Sequence, residues 1–289
     1  MISLGIDVGG SSVKLAAVRD GAALWQVQSQ TYRHPTREQL AAVIREAVAG
    51  RFGASDIVGI CVPGRRDAGG RTVILSVNLP ALNGLNLDAL VRDAVGTRPT
   101  FVEVCTDALA TAYDIYAHHN LRGRLLSLAL GTGVGAAVVD EGGVPLLVDG
   151  ESPGHIGQFD VSIEGHPVIG PDGGAGSLEG YIGAPALTKG YGPDMAATLR
   201  QLGPDDPPLR ALARAVRICH AMYCMDHVAL TGGLGNRMQH LLPAIRQLVE
   251  KDLTRIARPG WTLIAGHDDF HAAKGAAKFA AARAAGLRA

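Results

Sequence analysis

The 289-residue chain has no excess of either charge: 27 Lys and Arg stand against 27 Asp and Glu, and charged residues make up only 19% of it. A protein that works by neutralising phosphates along a nucleic acid needs a basic face, so a nucleic-acid partner is not expected. Cysteine is scarce as well. Cys61, Cys105, Cys219 and Cys224 do not make a disulfide framework in a chain of this length, and no CxxC pair marks a zinc ribbon or a redox site. No run of about 18 apolar residues occurs, so no membrane-spanning helix is expected. Met1 leads directly into ISLGIDVGG, with neither a basic segment nor a cleavage site of the secretory type, and the reducing cytoplasm is the expected setting. There is also no GxxxxGK[ST] sequence, which excludes a P-loop.

What the chain does have is apolar material and glycine. Hydrophobic residues make up 47% of it, ample for a core, and the length suits two domains of ordinary size. The 38 glycines are about 13% of the residues against an average near 7%, and they gather at a few places. Short apolar runs over 4–7, 13–18 and 23–28, separated by Gly9-Gly10 and Asp20-Gly21, predict an antiparallel meander. A helical stripe over 37–49, capped near Thr36, precedes a strand over 57–62. A helix over 87–95, a strand over 101–104 and a helix over 107–116 complete the first half.

The second half repeats the theme, with strands over 125–130 and 136–140 flanking a glycine turn over 131–135. Residues 149–193 are rich in Gly and Pro and predict loops and short helices. Helices over 195–202, 209–225 and 241–256, strands over 228–230 and 262–265, and an alanine-rich helix over 271–285 follow. Cys219 and Cys224 are expected in the core, and His118-His119 at a helix end. The His267-Asp-Asp-Phe-His271 run reads as an exposed cap and loop.

Two glycine turns carry the chemical signal. In Gly5-Ile-Asp-Val-Gly-Gly-Ser-Ser-Val-Lys14, Gly9 and Gly10 let the backbone approach an anion, Ser11 and Ser12 add hydroxyl donors, and Asp7 can hold a metal-bound water. Alone, the same residues serve an ordinary tight turn beside an aspartate. Leu130-Gly-Thr-Gly-Val-Gly-Ala136 has the wrong spacing for a dinucleotide fingerprint, and the β-branched Val138-Val139 follows where that motif needs a helix. Two such hairpins at the heads of two similar halves could grip a polyphosphate from both sides.

DVGGSSVK, the VPG of residues 62–64, Asn78-Leu79, Thr106-Asp107-Ala108, LGTGVGAAVV, GHIGQFDV over 154–161, GSLE over 176–179 and TGGL over 231–234 occur in the order found in the ROK family of sugar kinases. The resemblance runs from about residue 2 to residue 280. It implies an α/β fold of two actin-like (ribonuclease H-like) lobes with the active site in the cleft between them. Residues 1–116 with the returning helix 271–289 would form one lobe, and 117–270 the other. The implied activity is transfer of the γ-phosphoryl group of ATP to a hydroxyl of a sugar or sugar-like acceptor, with Mg²⁺ as cofactor and Asp107 as general base. A carboxylate at a strand-to-helix junction can take the proton of an attacking hydroxyl; it can equally cap the helix. Asp7, through water, would hold Mg²⁺. The phosphates fall to Gly9, Gly10, Ser11, Ser12, Lys14, Gly131, Thr132 and Gly133, and the adenosine side to Gly232 and Gly233. Gly64, Asn78, Thr106, His155, Gln158 and Glu179 would meet the acceptor. A homodimer is a family expectation.

The departures bear on the acceptor. Thr106 stands where the family usually has Asn, and the usual Gly-Glu-Ile-Gly-His reads Gly154-His155-Ile156-Gly157-Gln158. The usual zinc-binding cysteines are missing from 170–177, which reads GPDGGAGS, so no structural zinc is expected. A pocket changed at these places points away from plain glucose held in the usual way and leaves open a hexose epimer, an amino sugar, a cyclitol or a deoxysugar. The alternatives are polyphosphate as donor, and a non-catalytic sugar-binding or regulatory member of the same family.

Overall fold

The Asp20-Gly21 link has positive φ at both residues (52° and 82°), the backbone that a two-residue hairpin turn requires. It joins β2 to β3 in a computed structural model that describes all residues except 52–56, 77–78, 96–98, 149–151, 153–154 and 287–289. The described chain divides into two compact units, one of residues up to His119 together with those from Phe270 onward, the other Asn120–Asp269.

In the first unit, β1 (Ile2–Val8), β2 (Val13–Arg19) and β3 (Ala22–Gln28) form the meander. Helix α1 (Arg37–Val48) follows, its start fixed by a capping box in which Thr36 Oγ1 accepts from Gln39 N at 3.2 Å while Gln39 Oε1 accepts from Thr36 N at 2.8 Å. After β4 (Ile57–Cys61), a small hairpin of β5 (Arg65–Arg66) and β6 (Val73–Leu75) leads to α2 (Leu87–Val95), β7 (Phe101–Cys105) and α3 (Asp107–His118). The sheet order is β3-β2-β1-β4-β7, with β1, β4 and β7 parallel. Leu40 and Ile44 of α1 and Leu87 and Val91 of α2 pack with Leu4, Ile6 and Ile60 in one core.

The second unit opens the same way. β8 (Leu125–Leu130) and β9 (Val134–Val139) form a hairpin, and the sheet runs β11-β10-β8-β9. Between β9 and β10 lie α4 (Leu178–Ile182), α5 (Ala184–Tyr191), α6 (Met195–Gln201) and α7 (Pro207–Tyr223). β10 (His227–Thr231), the one-turn α8 (Gly232–Gly235), α9 (Leu242–Lys251) and β11 (Thr262–Ala265) complete the unit. In both units a central strand pairs antiparallel with the next strand and parallel with a third, β2-β1-β4 matching β9-β8-β10. The internal repeat visible in the sequence is therefore a repeat of topology.

The chain then returns to the first unit as α10 (His271–Gly286), which lies on the sheet with almost nothing between. A Cβ on Gly5 or Gly59 would run into the carbonyl of Ala273 or Ala276, and one on Gly275 into that of Ala110 in α3. The alanine-rich sequence is what permits this approach. Among the described residues no helix is long and apolar enough to cross a membrane.

Some local expectations shift. Strand β9 begins at Val134, two residues early, because pairing continues to Leu130↔Val134 across a three-residue link. The β5–β6 hairpin has strands too short to leave a periodic signal. Helix α7 ends at Cys224, which adopts φ 48° as its cap and is half-buried, whereas Cys219 is in the core as expected. His271 is not exposed: it is buried and its Nδ1 lies 2.6 Å from Asp114 Oδ2.

Candidate active site

Strand register places four ionisable side chains in one row across the first sheet. Lys14 on β2 is opposite Asp7 on β1, Asp7 opposite Cys61 on β4, and Cys61 opposite Cys105 on β7. The Cys61 thiol donates to Asp7 Oδ1 over 3.6 Å. Burial is the main cause that raises the Asp7 pKa from 3.8 to about 7; the charge of Asp107 adds to it, while Lys14 and the Cys61 thiol pull the other way.

Asp107 begins α3, two residues beyond Cys105 at the end of β7. Thr106 is the N-cap, its Oγ1 accepting from Leu109 N at 3.1 Å, which leaves Asp107 free of the capping role that the sequence left open to it. Asp107 Oδ1 accepts from Ala108 N at 2.8 Å. Burial pushes its pKa above the ordinary carboxylate value, partly offset by that backbone N–H.

The turn between β1 and β2 is closed by Gly9 N donating to Ser12 O (3.0 Å) and is held from outside by the end of β3 and the segment after it. The Tyr32 hydroxyl donates to Gly9 O at 2.5 Å, Tyr32 N to Ser11 O at 2.8 Å, and Gln28 Nε2 to Ser12 Oγ at 3.1 Å. Gly10 and Ser11 remain exposed at its tip. Gly64 follows β4 at φ 110°, backed against Leu75 and Ser76. Asn78 lies outside the described residues.

In the second unit the two glycine turns adjoin. The 131–133 turn is closed by Gly131 N donating to Gly133 O at 3.0 Å. Gly232, at φ 75°, sits where a Cβ would be 2.6 Å from Leu130 O, so only glycine fits beside the strand that leads into that turn. Gly233 is the next residue of α8, its carbonyl accepting from Arg237 at 2.7 Å. Glu179, in the first turn of α4, accepts from Val134 N through Oε2 at 2.8 Å. Its pKa is raised, first by burial and also by the charge of Asp172. Gln158 Nε2 donates to Asp172 Oδ2 at 2.9 Å, and His155 is exposed, one residue before the short helical turn Ile156–Gln158.

The ROK family model matches residues 3–203, more than half of the sequence. The chain belongs to the ROK family. As a ROK protein it is 27% identical over 251 residues to the N-acetylmannosamine kinase of Vibrio cholerae, covering 81% of this chain and 85% of that one. Its fold is that of the ROK glucokinase from Streptomyces griseus, solved with glucose and AMPPNP (TM-score 0.76, 22% identity, 98% of this chain and 100% of that chain). The inorganic polyphosphate/ATP-glucomannokinase of Arthrobacter sp. strain KM shares it too, at TM-score 0.66 and 21% identity, over 98% and 99% of the two chains. The two-lobe α/β architecture expected from the sequence is thus the architecture of ROK sugar kinases.

Within this ROK chain, the first unit gathers Asp7, Lys14, Thr106 and Asp107 around the β1–β2 turn. The second unit gathers Gly131–Gly133, Gly232, Gly233 and Glu179, with Gly157, the residue before Gln158, close to Glu179. Sequence reading missed Tyr32, Cys61 and Asp172. Tyr32 belongs to no motif, and Asp172 lies in the 170–177 segment, notable in the sequence only for its missing cysteines. Cys61 could have been found by extending the alternation of β1 and β4 to a common register.

Proposed function

We propose that this ROK protein is an ATP-dependent kinase that phosphorylates a hydroxyl of a sugar or sugar-like acceptor, with Asp107 as general base. The observation that carries the reading is the placement of Asp107: half-buried at a strand-to-helix junction, relieved of capping by Thr106, its basicity increased by burial. Asp107 takes the proton of the acceptor hydroxyl as that oxygen bonds to the γ-phosphorus and displaces the diphosphate. A base of raised pKa is better matched to that transfer at neutral pH than an ordinary aspartate.

The residues around Asp7 fit a divalent cation. The charge of Asp107 adds to the cost of ionising Asp7, Lys14 is a cation beside it, and Asp7 would hold Mg²⁺ through water. Mg²⁺ supplies neutralisation of charge on the phosphates. Gly9, Gly10, Ser11, Ser12 and Lys14 orient phosphates from the first unit, Gly131, Thr132 and Gly133 from the second, and Gly232 and Gly233 form the turn on the adenosine side. Gly64, Asn78, Thr106, His155, Gln158 and Glu179 bind the acceptor, and the working form is a homodimer.

The test is incubation with MgATP, and separately with polyphosphate, across hexoses, amino sugars, N-acetyl sugars including N-acetylmannosamine, and cyclitols, with products detected by mass spectrometry. A phosphorylated product supports the reading and identifies acceptor and donor. A folded protein that binds nucleotide yet phosphorylates nothing in the panel overturns it in favour of a non-catalytic sugar-binding protein.

A further inference from the structure

Glu179 is packed more closely than an acceptor-binding carboxylate needs to be. Its Oε2 takes the N–H of Val134, the first residue after the 131–133 turn. Three glycines surround it. A Cβ on Gly133 would lie 2.6 Å from Glu179 Oε2, one on Gly157 3.3 Å from the same oxygen, and one on Gly183 2.8 Å from the Glu179 carbonyl and 3.4 Å from its Cγ. The same hypothetical Cβ of Gly183 would be 3.0 Å from Thr132 O, and Ala184 N donates to Gly131 O at 2.8 Å. The turn is therefore held at both ends by one short stretch, Glu179 gripping Val134 and Ala184 gripping Gly131. The same carboxylate oxygen lies close to Gly157, whose neighbour Gln158 is tied to Asp172.

We infer that Glu179 is a positioning residue for the 131–133 turn, so that one carboxylate sets the geometry of the phosphate-binding turn as well as meeting the acceptor. This rests on the kinase reading for what the turn holds, but the bracket itself is a property of the fold. A backbone N–H donating to a half-buried carboxylate makes one of the stronger hydrogen bonds, and deleting the acceptor leaves the donor unpaired. Glutamine at 179 can still accept from Val134 N through its amide oxygen, whereas alanine cannot.

The two variants separate the roles. Glu179→Ala is expected to weaken MgAMPPNP binding, measured by calorimetry without acceptor, by about tenfold or more. Glu179→Gln is expected to stay within about threefold of the parent for nucleotide while its KM for acceptor rises. Amide exchange at Val134 reads the bracket with no ligand present: fast in Glu179→Ala, protected in the parent and in Glu179→Gln. Unchanged protection and unchanged nucleotide affinity in Glu179→Ala overturn the inference, as does equal loss of both in the two variants. A parent protein with a protected Val134 amide that binds no nucleotide overturns the kinase reading and leaves the bracket standing.

Discussion

Replacing Asp7 by asparagine should make the protein more stable and less active, and the gain should depend on pH. The Asp7 carboxyl is held near 7 in the fold against 3.8 ordinarily. Once both states are ionised this costs the folded state about 4 kcal/mol, and partial access of water to the side chain reduces the figure to about 2–4 kcal/mol. Because the folded-state pKa is the higher one, the penalty is absent below about pH 4, grows as pH rises, and is complete above about pH 7. Asparagine has nearly the same shape and no charge to desolvate. Asp7→Asn should therefore melt roughly 3–7 °C above the parent at pH 8, and the gain should fall to less than about half of that at pH 5. Thermal denaturation of both proteins by circular dichroism across that range is the assay. A variant no more stable than the parent at pH 8, or one whose gain does not change with pH, would refute the reasoning. Destabilised carboxylates are characteristic of functional sites, where stability is given up for reactivity.

Asp114, fully buried, is the opposite case. Burial alone would raise it, but hydrogen bonds from His271 and Lys278 and the charges of Lys278 and Lys274 bring it down to about 2. Its stabilisation is present above 3.8 and is lost as the pH falls toward 2, so acid denaturation should begin there. Asp114→Ala, which strands the α10 cations, should cost about 3–5 kcal/mol in chemical denaturation. Gly275→Ala sets a Cβ against the Ala110 carbonyl and should cost about 3 kcal/mol, seen as a lowered urea midpoint or loss of soluble protein. Tyr32→Phe removes the donor to Gly9 O and should raise the KM for nucleotide about threefold to tenfold while changing stability by less than about 1.5 kcal/mol.

Much of the fold is legible in the sequence because local and global signals agree. The Asp20-Gly21 turn, the Thr36 capping box and the alternation of β1 and β2 each point to one structure. Asp7 and Asp107 stand out because one lies near the end of an apolar strand beside a turn and the other follows an apolar strand at a helix start. Tyr32 does not: its hydroxyl reaches Gly9 from 23 residues away, a contact that exists only once β3 has paired with β2. The Gln158–Asp172 bond joins two irregular segments with no period to read. Glu179 is visible as a motif residue, yet its grip on Val134 depends on three glycines scattered over 51 positions, Gly133 to Gly183.

The central claim is that Asp107 is the base of a phosphoryl transfer. Its most direct test is to measure kcat for the acceptor found in the panel alongside nucleotide Kd, in the parent and in Asp107→Asn. A loss of about 100-fold to 10,000-fold in kcat with an unchanged nucleotide Kd is the predicted result. An Asp107→Asn protein that turns over at the parent's rate would contradict the account.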